Sequence, residues 1–254
     1  MGSDERLAVM CSGGLGSSVL LAASAQLLGN DRVLALTADS ELLPSTERSA
    51  ALLLAGELGV DHLLVPLPLT DEPALISNGP ARCYHCRRLM VAGLRRAAGE
   101  RGFESLADGR GADGQTCDGR GPEPIPEQGV LSPLAAAGMT RDMVRDLAVR
   151  LGVPGANRPP ESCLATRLEA GMPLESARLA LVDRLEGPLR SDAVGRPRLK
   201  LGRRDEATLV FAPEDSELVE RHRDWLLEQL LAAGMTLIRF EASCGTGPSG
   251  GRAR

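Results

Sequence analysis

Aromatic residues are almost missing from this chain. Its 254 residues include three phenylalanines, one tyrosine and one tryptophan. A core of this size must then be filled by Leu, Val and Ala, which supply most of the 43% apolar content. No uninterrupted apolar run reaches the length that spans a bilayer. The start, "MGSDERLAVMC", has neither the basic opening nor the apolar stretch of a secretion signal, so a cytoplasmic, non-membrane protein is expected. A surplus of positive charge is also lacking: 29 Lys and Arg stand against 34 Asp and Glu, a formal charge of -5. That balance disfavours a nonspecific nucleic-acid binder and leaves room for a local basic pocket. Arginine is by far the commoner cation, which suits bidentate recognition of phosphate and carboxylate. A GC-rich genome would produce the same bias. Six cysteines without a signal peptide do not make a disulfide scaffold. They are small buried side chains or a few chemically employed thiols.

What is present is an alternation of buried strands and amphipathic helices. "RLAVMCSGG" reads as a strand entering a turn, and "SSVLLAASAQLLG" as a helix stopped at Gly29. "DRVLALTAD" and "VDHLLVPLPL" are further strands. Between them "STERSAALLLAGELG" is a helix with a capping box on Ser45 or Thr46. Residues 84–99 form a helix opened by a cysteine pair, and "FESLADG" is a short fourth strand. Such alternation predicts an α/β fold, a twisted parallel sheet covered by helices. Residues 109–129 are a glycine- and proline-rich loop. Thr140 caps the helix "TRDMVRDLAVRLG". Beyond residue 172 the pattern changes: a helix at 174–186, paired strands "RPRLKLG" and "EATLVF", a helix at 214–233 and the strand "MTLIRFEA". The expected organisation is a main α/β domain over residues 1–172 and a smaller α+β unit over 173–254. The tail from about 245 is expected to be flexible.

Two places carry chemistry. "CSGGLGSS", residues 11–18, joins the first strand to its helix. Gly13 and Gly14 let successive amides point inward, Ser12, Ser17 and Ser18 add hydroxyls, and the helix start adds partial positive charge, together an anion cradle. A plain tight turn with a capping serine is the alternative. It matches neither the Walker pattern nor G-x-G-x-x-G. The second place is "ARCYHCRR", where Cys83 and Cys86 stand with a two-residue gap. That spacing allows a metal knuckle, a redox pair or part of a cluster ligand set. A zinc site would want a fourth ligand beside Cys163, and His85 or Cys117 could supply it.

Strand, S-G-G-x-D-S, helix resembles the pyrophosphate-binding loop of the ATP pyrophosphatase (PP-loop) superfamily. Here the run is Ser12-Gly13-Gly14-Leu15-Gly16-Ser17, with Gly16 where the family usually carries aspartate. The ordered motifs "NGPARCYHCR", "DGRGAD", "LSPL" and "RPPESCLATR" are similar to those of the sulfur transferases that thiolate the pyridinium biscarboxylate mononucleotide precursor of the nickel-pincer cofactor. The likeness runs over roughly residues 6–212. It implies an adenine nucleotide alpha hydrolase-like fold. It also implies an enzyme that adenylates a substrate carboxylate with ATP and Mg2+ and inserts sulfur from sulfide held on a [4Fe-4S] cluster. Cys83, Cys86 and Cys163 would ligate that cluster and serve as the catalytic residues. The implied nucleotide contacts are Ser12, Gly13, Gly14, Gly16, Ser17 and Ser18, with Ala38 and Asp39 at the end of the second strand. The implied substrate contacts are Arg167, Arg198, Lys200, Asp108 and Asp113, with Glu127 as a further candidate. Arg82 and Arg87 could offset the cluster's charge. Three departures from the family pattern, Gly16, Lys200 and Gly245, suggest a divergent member whose small carboxylate substrate, phosphorylated in the relatives, differs. The implied partners are that substrate, a sulfur donor and further copies of the chain. The alternatives are a tRNA thiolase, an iron-sulfur or nucleotide-binding protein without catalysis, and a zinc-stapled structural protein.

Overall fold

The structure is a computed structural model and describes residues 6–113 and 129–243. Four parallel strands, β1 (Leu7–Met10), β2 (Val33–Asp39), β3 (Asp61–Pro66) and β4 (Ser105–Asp108), form one sheet in the order β3-β2-β1-β4. Each crossover carries a helix: α1 (Leu15–Leu28), α2 (Ser45–Leu58), and, between β3 and β4, the short α3 (Pro73–Ile76) followed by α4 (Arg82–Glu100). The α/β arrangement expected from the alternation is the one observed.

Successive residues of a strand point to opposite faces. Ala8, Leu34, Leu36 and Leu106 therefore pack with Val91, Leu94, Ala97 and Ala98 of α4. Val9, Val33, Ala35 and Ala107 pack on the other face with α1 and with α6 (Arg141–Arg150). Burial on both faces is why the strands read as continuous apolar runs rather than alternating ones. Gly29 ends α1 with φ of 91°, a conformation that glycine reaches without steric cost. Thr140 caps α6 by accepting from the Met143 amide. The "LSPL" segment adds a bridge beside β4, Leu131 to Ala107, and runs into α5 (Pro133–Ala136).

The C-terminal region holds a three-stranded mixed sheet, β5 (Arg198–Leu201), β6 (Glu206–Phe211) and β7 (Leu237–Ala242). The first pair is antiparallel and the second parallel. Helices α7 (Ser176–Asp192) and α8 (Ser216–Ala232) cover it. Its core also takes in Leu42, Leu69, Leu75, Leu164, Ala165 and Leu168 from earlier in the chain. Segments after β2, β3 and the third cysteine thus pack onto this region.

Two local expectations are corrected. Helix α7 does not stop at 186 but passes through Pro188 to Asp192. A proline inside a helix forfeits one backbone bond. Here Leu185 and Leu189, both fully buried, hold the helix across it. The capping box at Ser45 or Thr46 is not formed; the residue before α2 is Pro44, with no side-chain cap. The Ser45 amide instead donates to the Asp183 carboxylate of α7 at 3.2 Å, so a helix far along the chain caps α2.

Candidate functional site

In an open parallel sheet, ligands bind beyond the carboxyl ends of the strands, where the strand order reverses. With the order β3-β2-β1-β4 that point lies between β1 and β4. The turn after β1 and the segment after β4 meet there as bare backbone. A Cβ on Gly16 would lie 2.1 Å from the Gly109 oxygen, and one on Gly109 would lie 2.2 Å from the Ser17 nitrogen. Gly13, at φ 82°, sits as tightly over α2: a Cβ there would meet the Glu47 oxygen at 2.0 Å. The hydroxyls stitch the turn. Ser17 donates to the Gly14 carbonyl at 2.9 Å, and Ser12 Oγ stands 3.4 Å from Ser17 Oγ. The buried Ser18 begins the helical bonding through its amide to Gly14 at 3.0 Å. The Leu15, Gly16 and Ser17 amides open α1, with no acidic side chain in that first turn. First-turn amides lack intrahelical partners, which leaves donors for an anion.

The Gly16–Gly109 contact gives a physical reason for glycine where the loops that this turn resembles carry aspartate: no side chain fits between the two segments. Gly16→Asp is therefore expected not to restore a metal-binding carboxylate. It should destabilise the fold by about 1–3 kcal/mol or more, the cost of forcing atoms into a filled space. Urea unfolding checks this, and an unchanged midpoint would contradict it.

The cysteine pair opens α4. Cys83 and Cys86 are three residues apart on that helix and so share a face. Cys163 comes from a loop and precedes a 3-10 turn, Leu164–Arg167, whose first amide donates to the Leu42 oxygen at 2.9 Å. Cys83, Cys86 and Cys163 are all free thiols, and Cys86 and Cys163 rest against the C-terminal core. Burial pushes the Cys86 thiol up to about 12, with Cys163 and Cys83 adding to the rise. Burial also raises Cys163; Arg82 opposes the rise and Cys83 adds to it. The three sulfurs share one electrostatic neighbourhood, and a guanidinium lies within it. Arg82 is buried, donates to Cys83 Sγ at 3.3 Å and is held by the Asn78 side chain at 2.6 Å. Asn78 is itself buried at φ 49° and donates to the Glu169 oxygen at 3.2 Å.

Among the described residues no group of three His, Cys, Asp or Glu side chains is gathered closely enough to hold a single metal ion. Zinc needs its thiolates within about 2.3 Å of one centre. The donors at hand are three soft thiols, with Arg82 and Arg87 opposing the pKa rise at Cys86 and Arg82 and Arg167 opposing it at Cys163; thiols are the ligand type that iron-sulfur clusters take. Cys117, Glu127, Cys244 and Gly245 lie outside the described residues.

The remaining expected site residues fall into distinct places. Asp108 ends β4 and is buried. It accepts from Ser132 Oγ at 2.8 Å, from the Arg110 amide at 3.3 Å and from Arg87, one residue beyond Cys86. Its acceptors fix the cysteine helix to the sheet. Asp113 is exposed and accepts from the Arg141 amide at the start of α6 at 2.9 Å. Ala38 and Asp39 end β2, and Asp39 pairs with Arg48 at 2.8 Å. Arg167 has 1% exposure and spends its donors inside the protein: on Glu186 at 2.9 Å, Glu161 at 2.6 Å and Ser162 Oγ at 2.6 Å. Burial acts to lower its pKa, but Glu186 and Glu161 more than offset this and hold it above the ordinary arginine value. The structure thus gives Arg167 a positioning place under the Cys163 loop. Arg198, half-buried at the start of β5, is different. No ion-pair partner stands against it among the described residues, and burial lowers its pKa. Lys200, two residues on, is on the same face and exposed.

Sequence reasoning missed the carboxylates and guanidinia that connect these parts. Glu161 is fully engaged. Burial alone would raise its pKa, but Arg167 and Arg190 hold it below the usual carboxylate range. Arg196 pairs with Glu161 at 3.2 Å and with Glu47 of α2 at 3.4 Å. Arg190 pairs with Glu186 and with Asp183, the latter at 2.8 Å. One signal in the sequence could have exposed this network. Glu186 and Arg190 continue the stripe Leu179, Val182, where a core-facing helix would normally place apolar residues.

The site thus combines, in an α/β fold, a glycine turn at the switch point with thiols from two distant segments of the chain and a buried arginine. Over 210 residues, 83% of this chain and 75% of the relative, the chain is 28% identical to the pyridinium-3,5-bisthiocarboxylic acid mononucleotide synthase of Lactiplantibacillus plantarum. That relative is of the family the cysteine motifs resemble. The chain is also 28% identical to an uncharacterized protein of Synechocystis sp., across 84% of this chain and 79% of that one. No family model matches the chain.

Proposed function

We propose that this chain is a sulfur transferase that activates a carboxylate with ATP and converts it to a thiocarboxylate. The observation that supports this most is that thiols from two distant segments come to one region: Cys83 accepts from the buried Arg82 at 3.3 Å, and Cys86 and Cys163 pack against the same core. The name of a relative, a bisthiocarboxylic acid mononucleotide synthase, points to the same chemistry.

The first-turn amides of α1, those of Leu15, Gly16 and Ser17, would hold the ATP phosphates. They would stabilise the charge that develops as the substrate carboxylate attacks the α-phosphorus and pyrophosphate leaves. Cys83, Cys86 and Cys163 would hold a [4Fe-4S] cluster. When bound, such a cluster supplies soft iron that can carry the sulfur to be transferred. Arg82 would donate to the Cys83 sulfur and balance the anionic ligand set. Arg198, half-buried and with no ion-pair partner among the described residues, would bind an anionic group of the substrate, because leaving a cation in that position without a partner is costly. Mg2+ would arrive with ATP. The thiocarboxylate forms when a sulfur nucleophile replaces AMP at the acyl carbon; the chain's part is to orient the adenylate and exclude water.

Anaerobically reconstituted protein, given ATP, sulfide and a panel of carboxylates, should release pyrophosphate with one member of the panel and yield its thiocarboxylate. Pyrophosphate with none of them would count against the enzyme reading. Arg198→Gln is expected to raise the acceptor KM about 10–100-fold, the loss of one charged hydrogen bond, with the ATP KM little changed. An equal rise in both would place Arg198 at the nucleotide instead.

A further inference from the structure

One guanidinium joins the anion cradle to the Cys163 loop. Arg196 donates to the Pro159 oxygen at 3.0 Å and to Glu161 Oε2 at 3.2 Å, both in that loop, and to Glu47 Oε1 at 3.4 Å. The Arg196, Glu161 and Glu47 side chains are 10%, 3% and 9% exposed. Glu47 belongs to the floor of the cradle. Its backbone oxygen lies under Gly13, and its Oε2 stands 4.0 Å from the position of a Cβ on Gly14.

We propose that Arg196 is a positioning residue that couples occupancy of the cradle to the order of the Cys163 loop. The inference rests on the cradle's being a phosphate site, as proposed above. A polyphosphate there sets negative charge beside the Glu47 carboxylate, whose burial is offset chiefly by Arg196. The added charge attracts the Arg196 guanidinium in its own right, alongside the existing hold of Glu47. The same guanidinium pins Pro159 and Glu161, so the loop that bears Cys163 is drawn in with it. By linkage, an ordered loop favours phosphate binding by the same factor. The consequence is that Cys163 takes its place when nucleotide is bound.

The test is amide hydrogen exchange of residues 161–166 in the intact protein, with and without saturating pyrophosphate, alongside titration calorimetry of pyrophosphate. In the native chain pyrophosphate should bind and slow exchange there by about 5-fold or more, the lower end of allosteric coupling. In Arg196→Gln, measured at its own saturation, the slowing should fall below about 2-fold. A merely structural arginine would raise exchange in both states and leave the ratio intact, which overturns the proposal. Equal exchange with and without ligand in the native chain overturns it too, while the cradle survives. No pyrophosphate binding at all removes both the cradle reading and the coupling. If Arg196→Gln does not fold, Arg196→Lys keeps the charge and loses the fork. Full retention of the native ratio in that variant is then the overturning result.

Discussion

Cys163→Ala is expected to lose sulfur transfer by on the order of 10^4-fold or more, the scale on which removal of a reacting group acts. Iron retained after anaerobic reconstitution should fall with it, while far-UV circular dichroism stays native. The fold does not depend on this sulfur, because Cys163 only borders the C-terminal core; its neighbours Leu164 and Ala165 are the buried members. Two measurements separate chemistry from assembly. Iron and sulfide per chain report the ligand set, and pyrophosphate release reports carboxylate activation, which under the proposed function the cradle would perform apart from the thiols. Lost transfer with pyrophosphate release preserved places Cys163 in the sulfur step. Transfer that persists in the variant would remove Cys163 from the mechanism. Loading should also strengthen as pH rises. Burial holds Cys86 and Cys163 protonated well above neutrality, so each must release a proton to bind iron.

The fold was legible because its signals are local. Two-sided burial makes β1 and β2 continuous apolar runs, and Gly29 stops α1 where its positive φ requires. The glycine turn and the two cysteine segments were legible as motifs, because spacing and residue type carry their chemistry. What escaped was tertiary. The cap on α2 comes from Asp183, in another part of the chain. Helix α7 survives Pro188 because its apolar side is buried against β5 and α8, which no propensity registers. Arg167 reads as a substrate arginine beside a cysteine, yet the four acids that surround its network arrive from α2, α7 and the Cys163 loop. In a linear reading such acids pass for solvated surface. Gly16 reads as a lost carboxylate until the approach of Gly109 shows that the position admits no side chain.

The same network sets the largest effect on stability. Glu186 has no exposure and accepts from Arg167, from Arg190 and from the Leu199 amide at 2.6 Å. Arg167→Met removes one of its two cations and strips Glu161 of its strongest partner. Breaking a buried pair from one side costs about 3–5 kcal/mol, because the carboxylate left behind has lost both water and its counter-charge. At about 2–4 °C per kcal/mol for a chain of this size, thermal unfolding should fall by roughly 10 °C. Without Arg167, burial would drive Glu161 toward protonation, so the deficit should shrink as pH falls toward 5, the opposite of what a lost surface pair would show. The Cys163 loop should loosen as well. Arg167 donates to Ser162 Oγ and to Thr166 Oγ1, at 2.6 and 2.9 Å, on either side of the cysteine. Arg167→Met should thus lower sulfur transfer even at temperatures where it remains folded, with the acceptor KM little altered. A variant that unfolds within 1 °C of the native chain, by an order-of-magnitude reading of the same scale, would show that Arg167 contributes no net stability. A selective rise in acceptor KM would return it to the substrate-binding role that the motif resemblance implies.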